Sequence, residues 1–229
     1  MWRYNMAVLA ICETHWTQAG QQRLDTGEML LYSGHEEENA PHTQGVALML
    51  SKQVRNALTW WESHESGIIK ASFKTKEGIT MNVIQCYAPT NDSNDDIKDQ
   101  FYERLQSIIE KCLRKELTIL MGDLNAKVEI DNTGYEDIMG RHGLGERNEN
   151  GERFANLCPF NKLVIGGKIF PHKRIHKAKW VSSDHTTENQ IDHICITKKI
   201  RKSKEDLRTR RGADIAPDHH QLAVAKMKL

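Results

Sequence analysis

The chain has 229 residues, of which 38% are hydrophobic and 28% charged, and it carries a net charge of +1. That length and balance support one sizeable buried core and argue against a disordered chain or a disulfide-stapled miniature. No run approaches the ~18 consecutive apolar residues of a membrane span, and Met1-Trp2-Arg3-Tyr4-Asn5 lacks the basic-then-apolar pattern of a secretory signal.

In chain order, the first apolar run is Met6–Cys12 and the next Gly45–Leu50, both read as strands. Ile68–Phe73 and Ile79–Tyr87 read as paired strands joined across Lys74-Thr75-Lys76-Glu77-Gly78. A helix is predicted over Asp95–Lys115, with Ile97, Phe101, Leu105, Ile108, Ile109 and Cys112 on one stripe. Its first turn is acidic, and Lys111, Arg114 and Lys115 complement the dipole at its end. Leu117–Met121 is an uninterrupted apolar run, as expected of a strand buried on both faces. A shorter helix is predicted over Gly151–Leu157, with Phe154 and Leu157 inward and Asn150 as its cap. Gln190–Thr197 and Gln221–Leu229 close the set of strands. Without an internal repeat or linker, residues 1–229 read as one domain. Many short strands with few helices point to an α/β (α+β) arrangement of two packed, mainly antiparallel sheets flanked by helices.

The near-neutral total charge hides a division. Residues 161–229 carry 16 lysines and arginines against 7 acidic residues, a net of +9, and residues 1–160 carry 16 against 24, a net of −8. The C-terminal third is therefore either a polyanion-facing surface or a set of solvated loops. The five cysteines, Cys12, Cys86, Cys112, Cys158 and Cys195, show no CxxC spacing. Their odd number suits a reducing compartment, and their apolar neighbours suit small buried side chains rather than a zinc site.

Acidic residues embedded in apolar strands are the informative anomaly, because a buried carboxylate needs a partner or a metal. The run Ile11-Cys12 ends on Glu13, which taken alone reads as a strand end reaching solvent. Gly122-Asp123-Leu124-Asn125 follows a buried strand. In extended geometry Asp123 and Asn125 project to the same side, whereas a turn would use the same residue types. Alternation in Ile191-Asp192-His193-Ile194-Cys195-Ile196 puts Asp192 on an otherwise apolar face, so it should have a partner. Pro217-Asp218-His219-His220 precedes the last strand. An Asp192–imidazole pair would hold the ring in one tautomer and raise its basicity, which suits contact with a phosphate.

Taken in order, Glu13-Thr14, Tyr87-Ala88-Pro89, Gly122-Asp123-Leu124-Asn125, Ile191-Asp192-His193 and Asp218-His219 resemble the motifs of the endonuclease/exonuclease/phosphatase superfamily. That superfamily includes deoxyribonuclease I, the abasic-site endonucleases and the endonuclease domains of non-LTR retrotransposons. Cys86–Asp92, Gly143–Arg153 and Arg208–Asp218 narrow the likeness to the endonuclease of RTE/BovB-type elements and of host proteins that carry the same domain. The resemblance covers essentially the whole chain.

It implies a deoxyribonuclease I-like four-layer sandwich and a Mg²⁺-dependent endonuclease acting on DNA, with Mn²⁺ as a substitute cofactor. By that likeness Glu13 is a metal ligand and Asp218 organises the metal side. Asp123 activates or orients the attacking water, and Asn125 positions water and phosphate. His219, held by Asp192, contacts the scissile phosphate, and Tyr87 donates to the phosphate or leaving oxygen. Lys198, Lys199, Arg201, Lys202, Arg208, Arg210 and Arg211 become backbone-tracking charges. DNA is the implied partner, with neither a membrane nor an obligate protein partner, and the nucleus is favoured over the cytoplasm.

The chain departs from the family in two places. The family begins with a strand ending in Trp-Asn-Val-Arg, whose asparagine helps bind the metal, and here that first strand is expected to be missing. Pro217 stands where a serine usually precedes the Asp-His pair, fixing φ and removing an N–H in the loop that aims His219. The expected alternatives are a remnant that binds nucleic acid without cutting, and an enzyme of the same fold acting on small phosphoesters.

Overall fold

The computed structural model describes residues 6–34, 45–65, 67–112, 115–128, 147–165, 180–181, 188–189, 191–198, 204–210 and 222–227. The chain divides into two compact units, residues 1–88 with 112–122, and residues 89–111 with 123–229.

The first unit is built on strands. β1 (Val8–Thr14), β2 (Gly20–Arg23), β3 (Met29–Tyr32) and β4 (Gly45–Leu50) form an antiparallel sheet in the order β1-β4-β3-β2. The four-residue helix α1 (Lys52–Arg55) follows. Then come β5 (Leu58–Ser63), β6 (Ile68–Lys74), β7 (Thr80–Tyr87) and β8 (Leu117–Asp123), which run in the order β5-β6-β7-β8. β4 packs on β6 and β7, so the two sheets share a core. Val46, Leu48, Leu50, Ile69, Phe73, Val83 and Ile84 supply much of it, all at most 1% exposed. The predicted β6–β7 pairing is present. Its turn is closed by Gly78 N–H on the Thr75 carbonyl at 3.0 Å, with Gly78 at φ +77°, a conformation that favours glycine.

The second unit holds two helices, α2 (Asp95–Glu110) and α3 (Glu149–Phe160), which pack on each other. β9 (Leu163–Ile165) pairs antiparallel with β12 (Asp192–Thr197), β10 (Trp180–Val181) with β11 (Glu188–Asn189), and β13 (Lys204–Arg210) with β14 (Leu222–Met227). Among the described residues no helix is long and apolar enough to cross a membrane, and all five cysteines are free thiols.

Both helices differ from the sequence expectation. α2 ends at Glu110, capped by Lys111, so no basic residue lies in its last turn. Ile97 is 52% exposed while Lys98 and Tyr102 are buried. The buried face centres on Leu105, and at 3.6 residues per turn Ile97 lies about 80° off that centre, whereas Lys98 and Tyr102 fall within about 60°. α3 starts two residues earlier than predicted and ends three later, and its cap is Asn148, not Asn150. Asn148 is three residues before Gly151, whose N–H its side chain accepts, which is the reach of an N-cap. Phe154 and Leu157 face inward as expected.

Candidate active site

β1 carries Glu13 at its end. The β1–β4 register shifts between Ile11 and Thr14, and Glu13 takes φ +57°, so this exposed residue sits on a bulge. Bulges re-aim side chains, and positive φ in a non-glycine residue is a strained choice that recurs at functional positions. One residue earlier, the Cys12 thiol donates to the Cys86 carbonyl at 3.8 Å and accepts from Gln85 Nε2 at 3.0 Å. The end of β1 therefore lies against the end of β7, where half-buried Tyr87 is two residues beyond Gln85 and on the same strand face. β8 arrives at the same place. Gly122 has φ +145°, and a Cβ there would stand 1.8 Å from the Cys86 carbonyl oxygen, so only glycine lets the strand come this close. In the first unit the ends of β1, β7 and β8 thus converge, bringing Glu13 and Tyr87 together with Gly122, the residue that leads into Asp123.

In the second unit, Asp123 ends β8 and the chain turns. Asn125 adopts φ +47°, and the Asp123 carboxylate accepts the Asn125 N–H at 2.8 Å. Of the two geometries open to the sequence, the turn is the one adopted, and it places the two residues in a single hydrogen-bonded unit. The Leu124 N–H donates to the Ile191 carbonyl at 3.1 Å, which brings the start of β12, and hence half-buried Asp192, to the same segment.

Several residues behind this turn make contacts that the sequence does not announce. His193 is 2% exposed. Its Nε2 lies 2.8 Å from the Ala126 carbonyl, and since a carbonyl only accepts, Nε2 carries the proton. Its ring packs on Phe154 with centroids 4.9 Å apart. The Tyr102 hydroxyl shares its proton between the Leu124 and Asn150 carbonyls at 3.3 and 3.1 Å. Asn150, fully buried, donates to the Pro89 carbonyl at 2.8 Å. Lys98, 2% exposed, donates to Glu149, to Asp95 at 3.0 Å and to the Asn91 carbonyl at 3.1 Å. The hydrogen bond to Glu149 raises its pKa above the ordinary lysine value, with burial opposing and Asp95 adding to it. The sequence signals for this framework are the Arg147-Asn148-Glu149-Asn150-Gly151 run, Ile191-Asp192-His193 and Cys86–Asp92, legible as parts of a resemblance but not as a set of contacts.

Glu13 in the first unit, and Asp123 and Asp192 in the second, each carry a carboxylate, the ligand type that a hard divalent cation such as Mg²⁺ takes. Among the described residues no three His, Cys, Asp or Glu side chains gather into a metal-holding group. Asp218 and His219 lie outside the described residues, as do Lys199, Arg201, Lys202 and Arg211. Lys198 is exposed just after β12, and Arg208 and Arg210 are residues of β13 that pair with Val224 and Leu222.

Comparisons with known proteins agree with this architecture. No protein-family model matches the chain. Craniofacial development protein 2 of Bos taurus is 35% identical over 231 residues, covering 100% of this chain and 37% of that protein. Its Tragulus javanicus counterpart is 34% identical over 229 residues, covering 99% and 38%. The chain therefore spans a little over a third of the length of these relatives. Among solved structures, an AP endonuclease from Archaeoglobus fulgidus superimposes with a TM-score of 0.68 at 17% identity, covering 100% of this chain and 91% of that one. The endonuclease domain of TRAS1, a telomere-specific non-LTR retrotransposon, gives 0.66 at 14% identity, covering 100% and 89%. The 3′ phosphatase NExo from Neisseria, bound to a product DNA hairpin, gives 0.65 at 17% identity, covering 97% and 89%. The chain is a homologue of craniofacial development protein 2 with the two-sheet fold of the endonuclease/exonuclease/phosphatase family.

Proposed function

We propose that the chain is a metal-dependent phosphodiesterase that nicks DNA. The observation that carries this reading is the convergence of the ends of β1, β7 and β8. It sets Glu13 and Tyr87 beside Gly122, and the fold is one shared with nucleases. The hairpin-bound neighbour and the basic C-terminal third support DNA as the substrate.

In this reading Glu13 and Asp218 hold a Mg²⁺ ion, for which Mn²⁺ can substitute. When bound, the ion supplies positive charge against the phosphate oxygens. Asp123 orients a water and takes its proton as the water oxygen bonds to phosphorus, while the bond from phosphorus to one sugar oxygen breaks. Asn125 donates to a phosphate oxygen. Its backbone is held in the turn by the bond from its N–H to the Asp123 carboxylate. Asp192 would hold the His219 imidazole for contact with the scissile phosphate, where negative charge builds. The Tyr87 hydroxyl donates to the departing oxygen. Lys198, Lys199, Arg201, Lys202, Arg208, Arg210 and Arg211 neutralise backbone phosphates, which gives affinity with little sequence choice. A DNA substrate would favour the nucleus as the place where the chain acts.

The reading is tested with a 5′-labelled duplex run beside small phosphoesters. Internal cleavage of the duplex with Mg²⁺ and no phosphate release from small esters supports it. The reverse pattern would assign the site to small substrates, and binding without cleavage would make the chain a non-cutting DNA binder.

A further inference from the structure

We propose that Asn148 is a positioning residue for the Asp123–Asn125 turn, acting through the backbone of residues 125 and 127. This rests on the nuclease reading given above. Four successive carbonyls of the segment after β8 are each bound by a group from elsewhere in the second unit. Tyr102 takes Leu124, the Asn148 side chain takes Asn125, His193 takes Ala126 and the Asn148 N–H takes Lys127. Asn148 alone supplies two of these, and it makes further bonds besides.

Its amide is used on both atoms. Oδ1 accepts the Lys127 N–H and the Gly151 N–H, each at 2.8 Å, and Nδ2 donates to the Asn125 carbonyl at 2.8 Å. Capping α3 needs only the acceptor facing Gly151, which Asp, Ser or Thr would supply equally well. Among the common cap residues only asparagine has an acceptor and a donor on separate atoms of one planar group. The donor goes to the one residue of the turn that sits at positive φ, Asn125 at +47°. Left-handed backbone persists where the surroundings hold it, and here Asp123 holds the N–H of Asn125 and Asn148 its carbonyl. Cap and latch are therefore separable functions of one side chain.

Asn148→Asp separates them. The carboxylate keeps the acceptor for Gly151 and Lys127, and its charge suits the start of a helix. It removes the donor and sets a second oxygen against the Asn125 carbonyl. The variant should melt closer to the wild type than Asn148→Ala does, since its cap bonds remain. Turnover on DNA should fall by about tenfold or more with KM nearly unchanged, because small misplacements of reacting groups cost rate rather than binding. Hydrogen exchange should quicken in a peptide covering 122–128 and not in α3. Asn148→Ala, which loses cap and latch together, should lower both melting temperature and turnover.

Unchanged exchange in Asn148→Asp would show that the latch does not hold the turn. Faster exchange with unchanged turnover would show that holding the turn does not serve the reaction. Either outcome overturns the proposal. A wild-type chain that does not cut DNA removes the nuclease reading, and with it the service assigned to Asn148. The exchange measurement would still decide whether Asn148 holds the segment.

Discussion

Gly151 lies in the first turn of α3, where replacing glycine by alanine ordinarily favours a helix by about 1 kcal/mol. At this position the sign should reverse. A Cβ on Gly151 would stand 1.9 Å from the Lys127 carbonyl oxygen. A carbon–oxygen contact settles at about 3.3 Å or more, so helix and loop must part by more than 1 Å. That displacement acts on the bonds that join Asn148 to residues 125 and 127, two at 2.8 Å and one at 3.4 Å. At about 0.5–1.5 kcal/mol each, their loss amounts to about 1.5–4.5 kcal/mol, which outweighs the gain in helix propensity. Net destabilisation of about 0.5–3.5 kcal/mol corresponds to a melting temperature lower by roughly 1–14 °C in a chain of this length. Calorimetry of Gly151→Ala beside the wild type measures this directly. An unchanged or higher melting temperature would refute the claim that glycine is required for the close approach of α3 to the loop.

Two further outcomes follow from charge. Glu62 is subject to burial, which pushes its carboxyl up, but the Lys70 ammonium at 3.0 Å and His64 outweigh it and hold the pKa below the ordinary value. A depressed carboxylate contributes stability above its unfolded pKa of about 4.3 and loses it as pH falls through the folded value. The stability gap between wild type and Glu62→Gln should thus be present at about pH 5 and close below about pH 4, as read by urea melts across that range; a gap that widens as pH falls from about 5 to about 3 would contradict the pairing. Replacing Lys198, Lys199, Arg201 and Lys202 together by glutamine should weaken DNA binding and flatten its salt dependence. The log–log slope should shrink by about 0.9 for each phosphate left without its cation. An unchanged slope would remove this stretch from the interface.

Which parts of the fold could be seen in the sequence follows from burial. β4 and the β6–β7 pair declare themselves because Gly45–Leu50, Ile68–Lys74 and Thr80–Tyr87 are mostly interior. β2 and β5 do not. Gly20–Arg23 is polar and mostly exposed, and Leu58–Ser63 leaves Trp60 65% exposed; both strands lie at sheet edges, where hydrophobic patterning is relaxed. Asp123 and Asn125 were legible because a carboxylate ending an apolar strand is anomalous. The roles of Asn148 and His193 were not, because their bonds to residues 125–127 span 21 to 67 positions and leave no local pattern. The expected cap at Asn150 failed for a related reason. Asn148 and Asn150 are equally good caps by type, and only the loop each one faces decides between them.

We assign a metal-dependent cut in DNA to Glu13, Tyr87, Asp123 and His219. Supercoiled plasmid incubated with Mg²⁺, with EDTA, and with the Asp123→Asn and His219→Ala variants tests it most directly. Asp123→Asn keeps an acceptor for the Asn125 N–H and so spares the turn. Conversion to open circles by the wild type with Mg²⁺ alone, lost in both variants at unchanged melting temperature, is the predicted result. Intact plasmid with a folded wild-type chain, or nicking that survives EDTA or either substitution, would contradict it.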